Sequence, residues 1–353
     1  MAQPIPKTVK QWNVTGQDGL DSLHFTEQMV PEIGDNDVLV KRKTPHYLEF
    51  RDVAISQGKY PWHVKPNVIP GSDGAGTVLS VGRHVTRFKA GDKVVTVLLQ
   101  KHTGGAIDRQ APDFGLGGGV DGTFRTAGVF NEQGLVMMPE GLSFIEAASL
   151  SCAGLTAWNA LFGIPGKRLS AGEWVLTQGT GGVSVFAIQF AKAVGARVIA
   201  TTSSSEKAKI LDKLGVDQVI NYAETPDWGL LAKNLTGGVG VDWVVDVAGS
   251  STLRQSVASI RLDGVISTVG IAGGDAQQTI PNLLDTWLNL FTARGVWVGS
   301  RLQMEDMCKA VEGNPQKLRP IIDSKVFKLE EMKEAYEYLA SGKHQGKVGI
   351  TIT

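Results

Sequence analysis

The stretch "LTQGTGGVSVFAIQFAKAVGARVIATTSSSEKAK" (Leu176–Lys209) decides the fold. A short apolar run leads into a glycine-rich turn. Val183, Phe186, Ala187, Phe190, Ala191 and Val194 then recur at the i, i+3, i+4, i+7 spacing of a helix. A second branched run, "ARVIATT", follows. The order strand, glycine turn, helix, strand is the context that a dinucleotide site requires. Gly179 and Gly181 let the backbone turn sharply and approach a pyrophosphate closely. Thr180, Gly182 and Val183 complete the turn, and the helix that starts there offers unpaired N–H groups and a positive dipole end. The third small position of G-x-G-x-x-G is Ser184. A merely structural turn is the plain alternative, and a lone glycine motif is weak, but four further strand candidates stand behind this one: "QVINY", "DWVVDVAG", "GVISTVG" and "GVWVGSR". Continuous apolar strands separated by helices predict a parallel sheet covered on both faces, a Rossmann doubly wound α/β domain.

The end of the second strand addresses which nucleotide is held. NAD-preferring sites place Asp or Glu there to bond the ribose 2′-hydroxyl. Here Thr202 stands in that place, followed by Ser203, Ser204 and Lys207. Hydroxyls and an ammonium suit a 2′-phosphate, which a carboxylate would repel. The sequence therefore favours NADP (as NADPH) over NAD. The same residues also read as a solvated loop with a helix cap, and both roles can coexist. Tyr222, ending "INY", is placed to pack beside that phosphate.

The 353 residues suggest two domains. Lys+Arg and Asp+Glu are both 35, so nothing in the charge supports a nucleic-acid or anionic-membrane partner. Near-zero charge mildly favours self-association. With only Cys152 and Cys308, a disulfide-stapled secreted fold is not expected. The start has no signal-like apolar core, and no run is long enough to span a bilayer, so a cytoplasmic location is expected.

The first part is β-rich, with "DVLVKRK", "AGTVLSVG" and "DKVVTVLL" as short branched runs bounded by Gly or Asp. The glycine-rich stretch between Gln100 and Gly128 reads as a long loop. Near Ser143 the pattern turns helical, and Ser143–Glu146 fits a capping box. Met332, Ala335, Tyr336 and Leu339 mark a later helix that Gly342 can stop, and "KVGITIT" closes the chain as a strand.

Taken together, "PGSDGAGTVLSVG" (70–82), "AGDKVV" (90–95), "LSCAGLTAWNAL" (150–161), "TQGTGGVS" (177–184), "INY" (220–222), "VGSR" (298–301) and "GKVGI" (346–350) resemble the medium-chain dehydrogenase/reductase superfamily over nearly the whole chain. The resemblance implies a GroES-like β-rich catalytic domain from residues 1–145 and 302–353, a Rossmann cofactor domain from 146–301, and a homodimer with the last Rossmann strand at its interface. It also implies that Thr156, Val247, Ala248, Gly249, Gly270 and Ile271 lie near the nicotinamide, and that Gly346 and Lys347 form a turn touching the cofactor.

The superfamily divides on zinc. By position, the zinc ligands of its alcohol dehydrogenases correspond to Glu49, to Ser72 and Asp73 (where those enzymes have His-Glu), and to Cys152. Catalytic zinc needs three good N, S or O ligands, and Ser for His removes one. No metal is expected, and Cys152 is expected to be a small buried apolar residue. The better match is the zinc-independent quinone-oxidoreductase-like and enoyl-reductase-like branch. That match implies NADPH-dependent hydride transfer to an activated C=C bond of an enone or quinone. The alternatives are an alcohol dehydrogenase or ketone reductase of the same superfamily, and a non-catalytic NADPH-binding protein. Tyr47 is the candidate acid or enolate donor, although related proteins often carry that tyrosine where this chain has Phe50. His46 and His63 are lesser candidates.

Overall fold

The computed structural model describes residues 4–42, 46–270, 279–344 and 346–352. The chain divides into two compact units: Met1–Cys152, Ser300–Pro315 and Arg319–Thr353 form one, and Ala153–Gly299 with Gln316–Leu318 form the other.

The first unit opens with β1 (Thr8–Val14) and β2 (Leu23–Met29), paired antiparallel. Next come β3 (Asp37–Arg42), β4 (His46–Tyr47), α1 (Phe50–Ser56), β5 (Ala75–Val81), β6 (Lys93–Thr96), β7 (Ala127–Asn131), β8 (Leu135–Met137) and α2 (Phe144–Ala148). Five of these strands make an antiparallel sheet in the order β7-β3-β5-β6-β8. Successive residues of β3 serve opposite faces of that sheet, as strand geometry demands. Val38 and Val40 join Val78, Val94, Phe130 and Leu135 in one core, whereas Leu39 joins Val9, Leu79 and Ala127 in another. The expected loop between β6 and β7 holds a 3₁₀ turn at Ala111–Phe114 and isolated bridges Leu99↔Gly115 and Leu116↔Val120. Ser143 caps α2, and Glu146 reciprocates, as the capping-box reading predicts.

The second unit begins within a π-helical turn, Leu150–Gly154, that runs into α3 (Leu155–Phe162). Strands and helices then alternate: β9 (Trp174–Gln178), α4 (Gly182–Val194), β10 (Arg197–Thr202), α5 (Ser205–Lys213), β11 (Gln218–Asn221), α6 (Trp228–Leu235), β12 (Val241–Asp246), α7 (Leu253–Ser259), β13 (Ile260–Thr268), α8 (Leu283–Leu288) and β14 (Thr292–Gly295). The sheet is parallel, in the order β11-β10-β9-β12-β13-β14. On one face Leu176, Ile199, Val244 and Ile266 pack with Trp228 and Ala232 of α6. Each such buried aliphatic side chain contributes roughly 1.5–3 kcal/mol, which explains why these strands read as unbroken apolar runs.

The sixth strand departs from the sequence reading. It was expected from "GVWVGSR" (295–301) but lies at Thr292–Gly295. Val296 and Val298 are both buried; the Val296 N–H makes a last bond to the Thr268 carbonyl at 2.9 Å, and Val298 has φ +53°, which an extended strand cannot accommodate. Beside β14, Leu283, Leu284, Trp287 and Leu288 of α8 are all more than half exposed.

The chain returns to the first unit with α9 (Arg301–Gly313), β15 (Ile322–Lys328), α10 (Met332–Ala340) and β16 (Lys347–Thr351). The closing strand finds partners on both sides, parallel to β15 and antiparallel to β4. Met332, Ala335 and Tyr336 bury the inner face of α10 against Trp12, Leu48 and Val348, and Gly342 ends the segment at φ +65°. Among the described residues, no helix is long and apolar enough to cross a membrane.

Candidate functional site

Two groups of residues, one in each unit, carry chemistry. In the second unit β9 and β12 are neighbours from which the sheet extends in opposite directions, the switch point where doubly wound sheets open a ligand crevice beyond their strand ends. The glycine turn sits there. Gly179 has φ +72°, a left-handed conformation that favours glycine. Gly181 is the N-cap of the 13-residue α4 and puts no side chain over its first N–H groups. A Cβ added at Gly181 would meet nothing within 4 Å, so the turn leaves an open cradle in front of a helix N-terminus. Gly182 and Val183 form the first residues of α4, and Thr180 is buried. Ser184, the departure from the glycine motif, is buried and donates its hydroxyl to the Gln178 carbonyl at 2.7 Å.

The end of β10 and the start of α5 gather the expected specificity residues. The Tyr222 N–H donates to the Thr202 carbonyl at 3.0 Å, which brings the ends of β10 and β11 together. Tyr222 and Ser203 are exposed. Ser204 is the N-cap of α5 and accepts the Lys207 N–H at 3.4 Å, so the capping role holds. Its O–H is still able to donate, because capping uses only a lone pair.

Sequence reasoning placed Val247, Ala248 and Gly249 near the cofactor but missed what holds them. Gln178 accepts the Val247 and Ala248 N–H groups at 3.2 and 3.4 Å and donates to Asp246 at 2.9 Å. Asp246, fully buried, also accepts the Gly249 N–H at 2.8 Å and the Thr252 and Ser256 hydroxyls. A carboxylate closing the apolar run "DWVVD" was the available signal. Thr156 is buried on α3, and Gly270 follows the end of β13. Ile271 lies outside the described residues.

In the first unit Glu49, Asp73, Cys152 and Lys347 converge. Glu49 is the N-cap of α1 in a reciprocal capping box with Asp52. Antiparallel pairing of β16 with β4 sets Gly349 opposite Tyr47 and so carries Lys347 to Glu49. The Lys347 ammonium, 3% exposed, donates to Glu49 and, at 2.7 Å, to the fully buried Asp73. Burial alone would pull the ammonium down, but Asp73 and Glu49 outweigh it and raise its pKa. Burial pushes the Asp73 carboxyl up, against the pull of Lys347.

Cys152 does not sit in the apolar setting expected for it. The residue as a whole is partly exposed, but its thiol is buried with the two carboxylates, each donor atom within 4.8 Å of the others. Burial, then Glu49 and Asp73, push that thiol well above its ordinary value, so it is protonated at neutral pH. Ser72, where a histidine would be needed, is buried and donates to Asp73 at 3.3 Å. These residues do not fit a catalytic zinc ion. Lys347 already bonds two of the three donors, so its ammonium charge stands where a cation would have to sit.

Tyr47 is fully buried, and its hydroxyl has no hydrogen-bond partner among the described residues. Lys347 stands 5.2 Å from its ring centre. Burial, and then Asp73 and Glu146, raise the phenol far above its ordinary value, so it keeps its proton and can donate it in a hydrogen bond. Gly346 precedes Lys347 at φ +74°. His63 is exposed.

Residues 34–140 match the alcohol dehydrogenase GroES-like domain, and residues 182–313 match the family described as zinc-binding dehydrogenase. A zinc-type alcohol dehydrogenase-like protein of Schizosaccharomyces pombe is 41% identical over 339 residues, 95% of this chain and 96% of its own. The chain belongs to the medium-chain dehydrogenase/reductase superfamily. A crystal structure from Sinorhizobium meliloti 1021, provisionally described as an alcohol dehydrogenase, superposes with a TM-score of 0.88 at 34% identity, covering 99% of this chain and 100% of that one. A quinone oxidoreductase of Pseudomonas syringae superposes at 0.81 with 26% identity, covering 97% and 99%. The protein is therefore an oxidoreductase of this superfamily using a nicotinamide cofactor, with a GroES-like domain and a Rossmann-like domain.

Proposed function

We propose that this protein is an NADPH-dependent, zinc-independent reductase of an activated C=C bond in an enone or quinone, in the quinone-oxidoreductase-like branch. The observation that carries the reading is Lys347 bonded to Glu49 and Asp73 where zinc-dependent relatives hold their metal. With no Lewis acid, an isolated ketone lacks its electrophile. An activated alkene needs less help, because its charge develops on a carbonyl oxygen that hydrogen-bond donors can stabilise. When bound, the nicotinamide supplies a hydride to the β-carbon. Tyr47 is the donor this reading assigns to the enolate. Tyr47→Phe is then expected to lower turnover about 100-fold with little change in NADPH affinity, measured by steady-state kinetics and fluorescence titration; a rate near that of the parent removes Tyr47 from the mechanism.

The proposal of NADPH rests on Ser203, Ser204, Lys207 and Tyr222 at the ends of β10 and β11, with no carboxylate at Thr202. Lys207→Ala should weaken NADPH at least about 10-fold and leave NADH nearly unchanged. Equal losses for both nucleotides would show that Lys207 does not read the 2′-phosphate.

A second reading, an alcohol dehydrogenase or ketone reductase, draws support from three donors kept within 4.8 Å of one another. Product analysis after incubation with NADPH and α,β-unsaturated ketones separates the two. A saturated ketone supports the proposed reading, and an allylic alcohol supports the second. The reading also makes the protein a homodimer, with the exposed apolar row of α8 beside β14 covered by a second copy. Sedimentation velocity measures this directly.

A further inference from the structure

Among the described residues, Arg125 is a buried cation of the first unit with no ion pair. Arg125 lies in "GTFRTAG" (122–128), where its backbone bridges Gln11 of β1 just before β7 begins. The residue is 4% exposed, and its Nε has no hydrogen-bond partner among the described residues. Asp121 steadies it only through space, because that carboxylate is held by Lys65 at 2.6 Å and by the Ile69 N–H at 3.1 Å. The Phe130 ring centre is 5.0 Å from the guanidinium carbon, and a ring face recovers only part of the hydration that burial removes. Burial pulls the pKa down to about 10.

The surroundings are built to admit this group. A Cβ at Gly128 would stand 2.5 Å from Arg125 Nε, so the guanidinium keeps this position beside the strand because residue 128 has no side chain. Arg125 lines an open groove of ≈ 750 Å³ whose other walls include Phe114, Val120, Val129 and Phe130, with Lys65, Lys101, Asp37 and Asp121 also on the lining. A planar fork of donors beside Phe114 and Phe130, with two lysines against two carboxylates on the remaining lining, matches a carboxylate head on an apolar body.

We propose that this groove binds a small organic carboxylate, with the carboxylate on the Arg125 guanidinium and the apolar body against Phe114 and Phe130. An unpaired buried cation adds nothing to folding, and a ligand that pairs it recovers what its burial costs.

The probe is benzoate, titrated calorimetrically into the full-length protein, with benzyl alcohol as the neutral counterpart and inorganic phosphate as an anion with no apolar body. Benzoate should bind the parent and raise its Tm, with the other two at least about 10-fold weaker. Arg125→Met should lose at least about 10-fold in benzoate affinity while keeping or raising the Tm of the free protein. Gly128→Ala, which displaces the guanidinium without removing it, should lose affinity in the same way. The proposal is overturned by failure of the parent to bind benzoate. Equal binding by Arg125→Met, benzyl alcohol binding as tightly as benzoate, or phosphate binding better than benzoate would each overturn it as well. A marked drop in the Tm of Arg125→Met would make Arg125 structural and would overturn it too.

Discussion

Gly181→Val is expected to leave the protein folded and to weaken NADPH binding by about 100-fold or more. Gly181 does not use a left-handed conformation, and a Cβ placed there meets no atom within 4 Å. The substitution therefore costs the free protein little. The same space lies in front of α4, where the proposed cofactor site brings the pyrophosphate to the first N–H groups. A branched side chain in that space holds the anion away from them. Because both nucleotides share the pyrophosphate, NADH should lose as much as NADPH, unlike the selective loss expected for Lys207→Ala. Thermal unfolding and fluorescence titration test the two halves of the claim. An unchanged Tm with undiminished binding would move the pyrophosphate away from this turn. Gly179 would be a poorer test, because at φ +72° any side chain strains the fold as well.

The Rossmann unit was legible because its signals are local. Leu176, Ile199, Val244 and Ile266 are buried on a parallel sheet, so their strands read as continuous apolar runs. The turn chemistry at Gly179 and Gly181 follows β9 at once. The sixth strand was misplaced because Val296 and Val298 look like strand residues, yet only the Val296 N–H still bonds β13, at the Thr268 carbonyl, before the chain turns away. A positive φ at Val298 leaves no trace in composition. The Glu49–Lys347 pair was illegible for a different reason. The two residues are 298 positions apart, and only the pairing of β16 with β4 brings them together. The family resemblance implied a cofactor-touching turn at Lys347 and carried no sign of its pairing with Glu49 and Asp73, and Cys152 read as a small buried apolar residue. Arg125 was missed because a cation before a strand reads as a surface residue unless its burial is known.

Lys347→Met is expected to destabilise the protein by about 3–5 kcal/mol, the cost of removing one partner from a buried ion pair. The ammonium is 3% exposed and neutralises Glu49 and the fully buried Asp73. Without it, two carboxylates face each other beside a protonated thiol. They respond by taking up protons, and this fixes the pH dependence. Burial raises the Asp73 pKa, and Lys347 opposes that rise. In the variant the rise is unopposed. A carboxyl raised above its unfolded value contributes stability below that value and loses it as pH climbs through the folded one. The deficit of Lys347→Met should therefore be smallest in mild acid and grow towards neutral pH and beyond. Adding Glu49→Gln should recover part of it, since one of the two charges is then gone. The variant should also take up Co²⁺, with thiolate charge-transfer absorption from Cys152, where the parent takes up none. A parent protein that binds Co²⁺ through Cys152 with Lys347 in place would remove the basis for the zinc-independent reading. A variant as stable as the parent at every pH would mean that the two carboxylates are protonated already and that Lys347 does not neutralise them.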